Sequence, residues 1–159
     1  MTSRAEWEQR VAAVWNADDD ATLVERMAAV AADAPHPSLG AFELGGAYDS
    51  TGREAEALVR YEAAVAGGIA DVDPERAAQL VVQHASTLRN VGRVDDAIAL
   101  LSSAPPHPST GAAREVFLAL ALHSAGRDAE ALRTAIEALV PTLPRYRRSV
   151  AAYARALTD

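Results

Sequence analysis

The sequence predicts an all-α fold, an α–α superhelix of about four antiparallel helix hairpins closed by a C-terminal capping helix. Three observations carry this reading. First, the 159-residue chain is 50% hydrophobic but only 5% aromatic, and Ala makes up about a quarter of it. Ala is the best helix former and the smallest side chain that sits between packed helices, whereas a β-rich fold would need more Val, Ile, Thr and aromatic residues. Second, a Gly-Arg pair followed by acids and Ala recurs three times, at Gly52-Arg53, Gly92-Arg93 and Gly126-Arg127. Third, apolar residues recur at helical spacing on both sides of each pair, for example Val81, Ala85 and Leu88 before Gly92. The chain reads as one domain over residues 1–159.

The periodicity places nine helices, at 3–16, 20–33, 38–51, 53–67, 74–90, 93–103, 111–125, 127–139 and 145–157. The first two form a hairpin. Asp18-Asp19-Asp20 lacks the alternating spacing of a calcium loop and is read as capping and dipole stabilisation for the second helix. Trp7 and Trp15 stand eight residues apart on the first helix, within about 80° of each other. An exposed Trp stripe there would favour self-association.

The next hairpin turns at Gly52, which ends one helix in a left-handed conformation. The acids after the glycine, Glu54 and Glu56, fall in the first turn of the following helix, where its dipole favours them. Six extra residues near Gly67-Gly68-Ile69-Ala70-Asp71-Val72 are read as a loop insertion. Asp73-Pro74-Glu75 then supplies an N-cap followed by Pro at the first helical position. Gly92 and Gly126 repeat the turn. Two similar segments, Pro35-His36-Pro37-Ser38 and Pro105-Pro106-His107-Pro108-Ser109, break the helices before them, and duplication of a two-hairpin unit explains their likeness. On the last helix Tyr146, Val150, Tyr153, Ala154 and Leu157 lie at helical spacing, so it is expected to cover the apolar surface of the last hairpin.

Residues 38–71 resemble a tetratricopeptide repeat, whose pattern is met by Leu44, Gly45, Tyr48, Gly52, Ala57, Tyr61 and Ala64. Gly45 and Ala57 are the small residues that let the two helices approach, and Tyr48 and Tyr61 fill the space between hairpins. Residues 78–111 are similar through Ala85, Gly92, Ala97, Leu101 and Ala104, with His84 and Leu88 in place of Leu and Tyr. Residues 112–145 keep Leu118, Ala119, Gly126, Ala131 and Ala138. Residues 4–37 read as a degenerate repeat with Trp7 on the family's tryptophan position and Asp18 in place of the turn Gly. Residues 145–159 are the cap. With its Arg-only basic set and excess of Ala, the chain is identified as a member from a GC-rich genome, a bacterial tetratricopeptide protein.

That resemblance implies a groove lined by the first helix of each repeat, which holds a peptide or a segment of a partner protein. Carried onto this chain, the groove positions are Phe42, Glu43, Gly46 and Asp49, then Gln79, Val82, Gln83, Ser86, Arg89 and Asn90. Val116, Phe117, Leu120 and His123 follow, and Arg147 and Val150 come from the cap. The lining is acidic at one end, amide-rich in the middle and apolar toward the other. Glu43 and Gly46 stand where a carboxylate-binding clamp needs amide or basic groups, so that specialised function is not expected. One further arrangement is open: the apolar positions of the last repeat bury against the capping helix and close the groove.

Catalysis and cofactors find little support. There is no Cys, which excludes disulfides, thiolate metal sites and cysteine nucleophiles. The four histidines, His36, His84, His107 and His123, form no His-x-x-x-His pair, so no metal site is expected. His84 is read as a packed core residue. Gly67-Gly68 is no phosphate loop, since no Lys follows. A net charge of −7 argues against general nucleic-acid binding. The charge is uneven: residues 1–140 hold 11 Arg against 21 acids, and residues 141–159 hold 4 Arg against 1 acid. Arg145, Arg147, Arg148 and Arg155 are read as solvated charges on a terminal helix, with a small basic patch as the alternative. No apolar run is long enough to span a bilayer, and no secretory pattern opens the chain, so a cytoplasmic location is expected. The leading expectation is a non-catalytic interaction scaffold that needs no cofactor. The alternative is a homodimer formed through terminal helices.

Overall fold

The computed structural model describes residues 3–17 and 19–159. All regular structure among them is helical, and the chain divides into two compact units, the first ending at Leu80 and the second starting at Val81. No described helix is long and apolar enough to cross a membrane.

The first unit holds α1 (Arg4–Trp15), α2 (Leu23–Ala32), α3 (Pro37–Ser50), α4 (Glu54–Ala66) and the short α5 (Ile69–Val72). It also holds the first turns of α6 (Pro74–Asn90). Ser3 and Glu6 start α1 with a reciprocal capping box. The Asp-rich turn before α2 acts through Asp19, which accepts bonds from the Thr22 hydroxyl and N–H; Asp18 lies outside the described residues. His36 caps α3, its Nδ1 accepting the Ser38 N–H at 3.3 Å and lying 2.8 Å from Ser38 Oγ. His107 and Ser109 repeat both bonds in the second unit, at 3.2 and 2.7 Å, so the duplicated Pro-His-Pro-Ser segments share a local turn, which opens a helix only in the first unit. Asp73 caps α6 through the Arg76 N–H at 3.0 Å.

The six-residue insertion forms α5, where a loop is expected from sequence. Gly68 turns the chain at φ 75°, and Ile69 is buried in the core of the first unit. A buried Ile explains the order: it recovers apolar area that a solvated loop would forgo.

The second unit holds the rest of α6, then α7 (Val94–Ser103), α8 (Ala113–Ser124), α9 (Asp128–Leu139), a 3-10 turn (Val140–Thr142) and α10 (Arg147–Arg155). Consecutive helices from α7 to α10 pack on one another.

One local device makes all three marker turns. At the first, the Arg53 N–H reaches the Tyr48 carbonyl at 2.9 Å and the Gly52 N–H reaches Asp49 at 3.1 Å. This is the paired bond of a Schellman turn, and it requires the left-handed φ of 72° that Gly52 adopts. Arg93 to Leu88 and Arg127 to Leu122 repeat it at 2.8 and 2.9 Å. The arginine then pairs with the acid three residues on: Arg53 with Glu56, Arg93 with Asp96, and Arg127 with Glu130.

The cores differ. In the first unit Trp7, Met27, Leu39 and Tyr61 are fully or almost fully buried. The Trp7 indole N–H is satisfied by the Val30 carbonyl at 3.0 Å. Buried residues of the second unit are mostly small or aliphatic: Ala85, Leu88, Ala97, Leu101, Ala119, Ala121, Leu122, Ala131 and Ala154. Two expectations are corrected here. Trp7 is fully buried, so α1 presents no Trp stripe, and self-association loses the feature that favoured it. On α10 it is Ala154, flanked by half-buried Val150 and Ala151, that faces α9. Tyr146 and Tyr153 are 76% and 75% exposed. Their spacing reads as a stripe, but the helix packs through its small residues, which approach a neighbour more closely than tyrosine can.

Gly45 marks a close approach of α3 to α4: a Cβ there would lie 2.6 Å from two ring carbons of Tyr61. Since Tyr61 is fully buried, the ring cannot yield. Gly45→Ala is expected to destabilise the first unit by about 1–3 kcal/mol through overpacking. At Gly52 a Cβ meets nothing within 4 Å, so Gly52→Ala should cost only the backbone strain, about 1–2 kcal/mol. Urea unfolding of both variants checks the order.

Candidate functional site

The sequence-derived groove positions fall into two groups with opposite fates. Those of α3 are closed. Phe42 is buried, and Glu43 is 5% exposed. The Trp15 ring covers Gly46, 3.3 Å from where a Cβ would stand, and the Trp15 indole N–H donates to Glu43 Oε2 at 2.9 Å. The other carboxylate oxygen of Glu43 accepts from Arg76 Nε at 2.9 Å. Glu43, expected at the acidic end of a groove, is therefore an internal anchor, because both its oxygens are already bonded. Asp49 is half-buried and lies 3.5 Å from the Tyr61 hydroxyl. Gln79 is half-buried on α6.

Arg76 organises this end of the first unit. Its guanidinium also bonds both oxygens of Glu8, at 2.9 and 2.6 Å, and Asp73 at 3.0 Å. It lies 5.5 Å from the centre of the Trp7 ring. Arg4 reaches Asp73 as well. Although burial opposes its charge, the bonds from Glu8, Asp73 and Glu43 push the Arg76 pKa further up. Burial raises the Asp73 carboxyl, but the Arg76 N–H and guanidinium and Arg4 outweigh it and hold Asp73 below the usual carboxylate range. Burial, then the charges of Asp49 and Glu43, push the Tyr61 phenol far up, keeping it neutral. The ion pairs of Arg76 with Glu8, Glu43 and Asp73 tie α1, α3 and α6 together. Among the described residues no group of three His, Asp or Glu side chains could hold a metal ion.

Of the groove positions of the second unit, Val82 is closed, 8% exposed, and the others are half-buried or exposed. Gln83, Ser86 and Arg89 are half-buried on α6, and Asn90 is exposed. The Gln83 side-chain oxygen is sealed from solvent and makes no hydrogen bond. Arg89 reaches Asn90 Oδ1 at 3.4 Å. On α8, Val116 and Leu120 are 46% and 42% exposed, and Phe117 is half-buried. The capping helix therefore does not bury the apolar positions of the last repeat.

Val116, Leu120 and His123 line one shallow depression of ≈ 460 Å³, completed by Ala119 and, from the start of α9, Asp128, Ala131, Leu132 and Ala135. Its floor is the close contact of two alanine-bearing helices, and its walls are branched aliphatic side chains. At one end His123 Nδ1 lies 2.6 Å from Asp128 Oδ1, both side chains 73% exposed. Sequence reasoning found the α8 half of this depression. It missed Leu132, which sits on a second helix where the family pattern lines no groove. Arg147, assigned to the groove from the cap, is exposed and bonds the Leu143 carbonyl at 2.6 Å.

Eight of the eleven large hydrophobic side chains exposed among the described residues belong to the second unit: Val91, Val116, Leu120, Leu132, Leu139, Tyr146, Tyr153 and Leu157. The described molecule thus carries its exposed apolar surface mainly beyond Leu80, while its aromatic core and ion-pair cluster lie before it.

The sequence model of a family described as tetratrico peptide repeat matches residues 38–157. No curated protein and no solved structure matches the chain.

Two outcomes test the Arg76 cluster. Arg76→Met strands Glu43 in the interior and should destabilise the first unit by about 3–5 kcal/mol, with part recovered by adding Glu43→Gln. The Asp73 pKa is lowered by folding, so its contribution is present above the unfolded pKa of about 4 and is lost as pH falls through the folded value. Urea midpoints at pH 7 and pH 3 should therefore differ less in Asp73→Asn than in the parent.

Proposed function

As the chain belongs to the tetratricopeptide repeat family, we propose that it is a non-catalytic interaction scaffold that holds a peptide or partner-protein segment on its second unit. The observation that carries this reading is the row of Val116, Leu120 and Leu132, exposed around a depression that the fold leaves unfilled. Stable monomeric surfaces leave few contiguous apolar patches, and those they keep mark binding sites.

The depression suits one or two apolar side chains of a ligand, with Ala119 and Ala131 as its floor. Ser86, Arg89 and Asn90 on α6 and His123 on α8 add polar groups that hydrogen-bond a peptide backbone without requiring it to be charged. The closed positions on α3 take no part: Glu43 is committed to Trp15 and Arg76.

Peptides selected from a displayed random library against the whole chain should share apolar residues at fixed spacing. Leu120→Asp should then weaken them by about 30-fold, the size of one hot-spot residue, with an unchanged circular-dichroism melt. Selected peptides that bind Leu120→Asp and Val116→Asp as well as the parent would exclude this surface.

A further inference from the structure

The arginines of the chain divide sharply by location. Among the described residues, nine of the eleven Arg in residues 1–140 hold a carboxylate partner. None of the four in residues 141–159 does, although most of the acids of the chain lie elsewhere and go unused by them. Arg147 is spent on the Leu143 carbonyl. Arg145, Arg148 and Arg155 are exposed with no bond to any side chain.

The structure holds these groups in place. Ala154 is fully buried against α9, with Val150 and Ala151 half-buried beside it, so the opposite side of α10 is fixed outward. Arg148 and Arg155 are seven residues apart and therefore stand within about 20° of each other, on one exposed flank of the helix about 100–120° round from Ala154. Tyr153, 75% exposed, stands on the other flank, about 140–160° round from them. Tyr146, at the start of the helix, is 76% exposed and is the one described non-glycine residue with positive φ, at 68°. Arginine and tyrosine are the residue types that dominate binding energy at interfaces. A guanidinium fork matches a carboxylate with two parallel bonds.

We propose that the flank of α10 that carries Arg148 and Arg155, with Arg145 before it, is a docking site for a short acidic segment of a partner protein. Charge complementarity and size select this occupant. The helix is nine residues long, about 14 Å, which spans four or five residues of extended peptide at about 3.3 Å each. Nucleic acid fits less well, since specific contact with it covers roughly 600 Å² or more of protein. Such a footprint would reach beyond this helix onto the rest of its own unit, where residues 81–140 hold 5 Arg against 6 acids. The site shares no residue with the apolar depression on α8 and α9 and stands independently of it.

The test is fluorescence anisotropy on the whole chain with a fluorescein-labelled peptide of five Glu between Gly-Ser ends. The same peptide with Gln for Glu and a thymidine pentanucleotide are the comparison probes. The Glu peptide should bind, the Gln peptide should not, and about 0.5 M NaCl should remove the binding. The combined Arg145→Gln, Arg148→Gln and Arg155→Gln variant should weaken it by about tenfold or more. Tyr153→Ser, on the other flank of the helix, should leave it unchanged within about twofold. Arg60→Gln, at another exposed arginine without a carboxylate partner, should change nothing. Equal binding of the Glu peptide to parent and triple variant would overturn the proposal, as would failure of the parent to bind it. Tighter binding of the pentanucleotide than of the Glu peptide would replace the proposal with nucleic-acid recognition.

Discussion

Each marker hairpin depends on one backbone bond, from the arginine after the turn glycine to the carbonyl five residues before it. A single hydrogen bond is worth about 0.5–1.5 kcal/mol, far less than the apolar burial around it. Its importance is geometric. By closing the turn at Tyr48, Leu88 and Leu122, it fixes the register in which the two helices meet. In that register Gly45 lies under Tyr61, and Ala119 and Ala131 share one depression floor. A shift of one residue would rotate each helix by about 100° and replace these small contacts with bulky ones. The arginine that makes the bond also bridges to the acid of the next helical turn, so one residue serves backbone and side chain together.

The two units use similar hairpins for different ends. The first turns its large and charged groups inward: Trp7 and Tyr61 into the core, Glu43, Asp73 and Arg76 into a bonded cluster. A buried ion pair contributes little net stability compared with a hydrophobic core, but it strongly disfavours alternatives that leave one charge unpaired. It therefore fixes how α1, α3 and α6 meet within this unit. The second unit has a core of Ala and Leu, leaving its larger residues outside. Close packing through small side chains is compatible with stability, and it frees Leu and Tyr for the surface.

What could be read from the sequence was what is local. The Gly-Arg turns and the Asp73-Pro74 cap each depend on residues a few positions apart, whereas the seat of Tyr61 against Gly45 is read only from the structure. The Trp15–Glu43–Arg76 cluster joins residues 28 and 33 positions apart, and no periodicity marks such pairs in advance. Glu43 was for that reason placed on a surface it does not reach. On α10 the error was of a different kind. Tyr146, Val150, Tyr153, Ala154 and Leu157 all satisfy a helical repeat, yet within it Ala154 packs and the tyrosines do not, because hydropathy patterning weighs bulk and not closeness of approach. The depression was half legible: α8 supplied Val116, Leu120 and His123 at family positions, whereas Leu132 becomes visible only once α9 is seen to lie alongside.

The placement of the aromatic residues has an optical consequence. Both tryptophans of the chain, Trp7 and Trp15, lie before Leu80. Trp7 is sealed from water and Trp15 is 40% exposed, so the folded chain should emit as a mixture of a blue-shifted and a red-shifted indole. Beyond Leu80 the only ring fluorophores of comparable use are Tyr146 and Tyr153, both already in water and nearly silent on unfolding. Intrinsic emission is thus a built-in reporter of one unit, while far-ultraviolet dichroism sums over the helices of both.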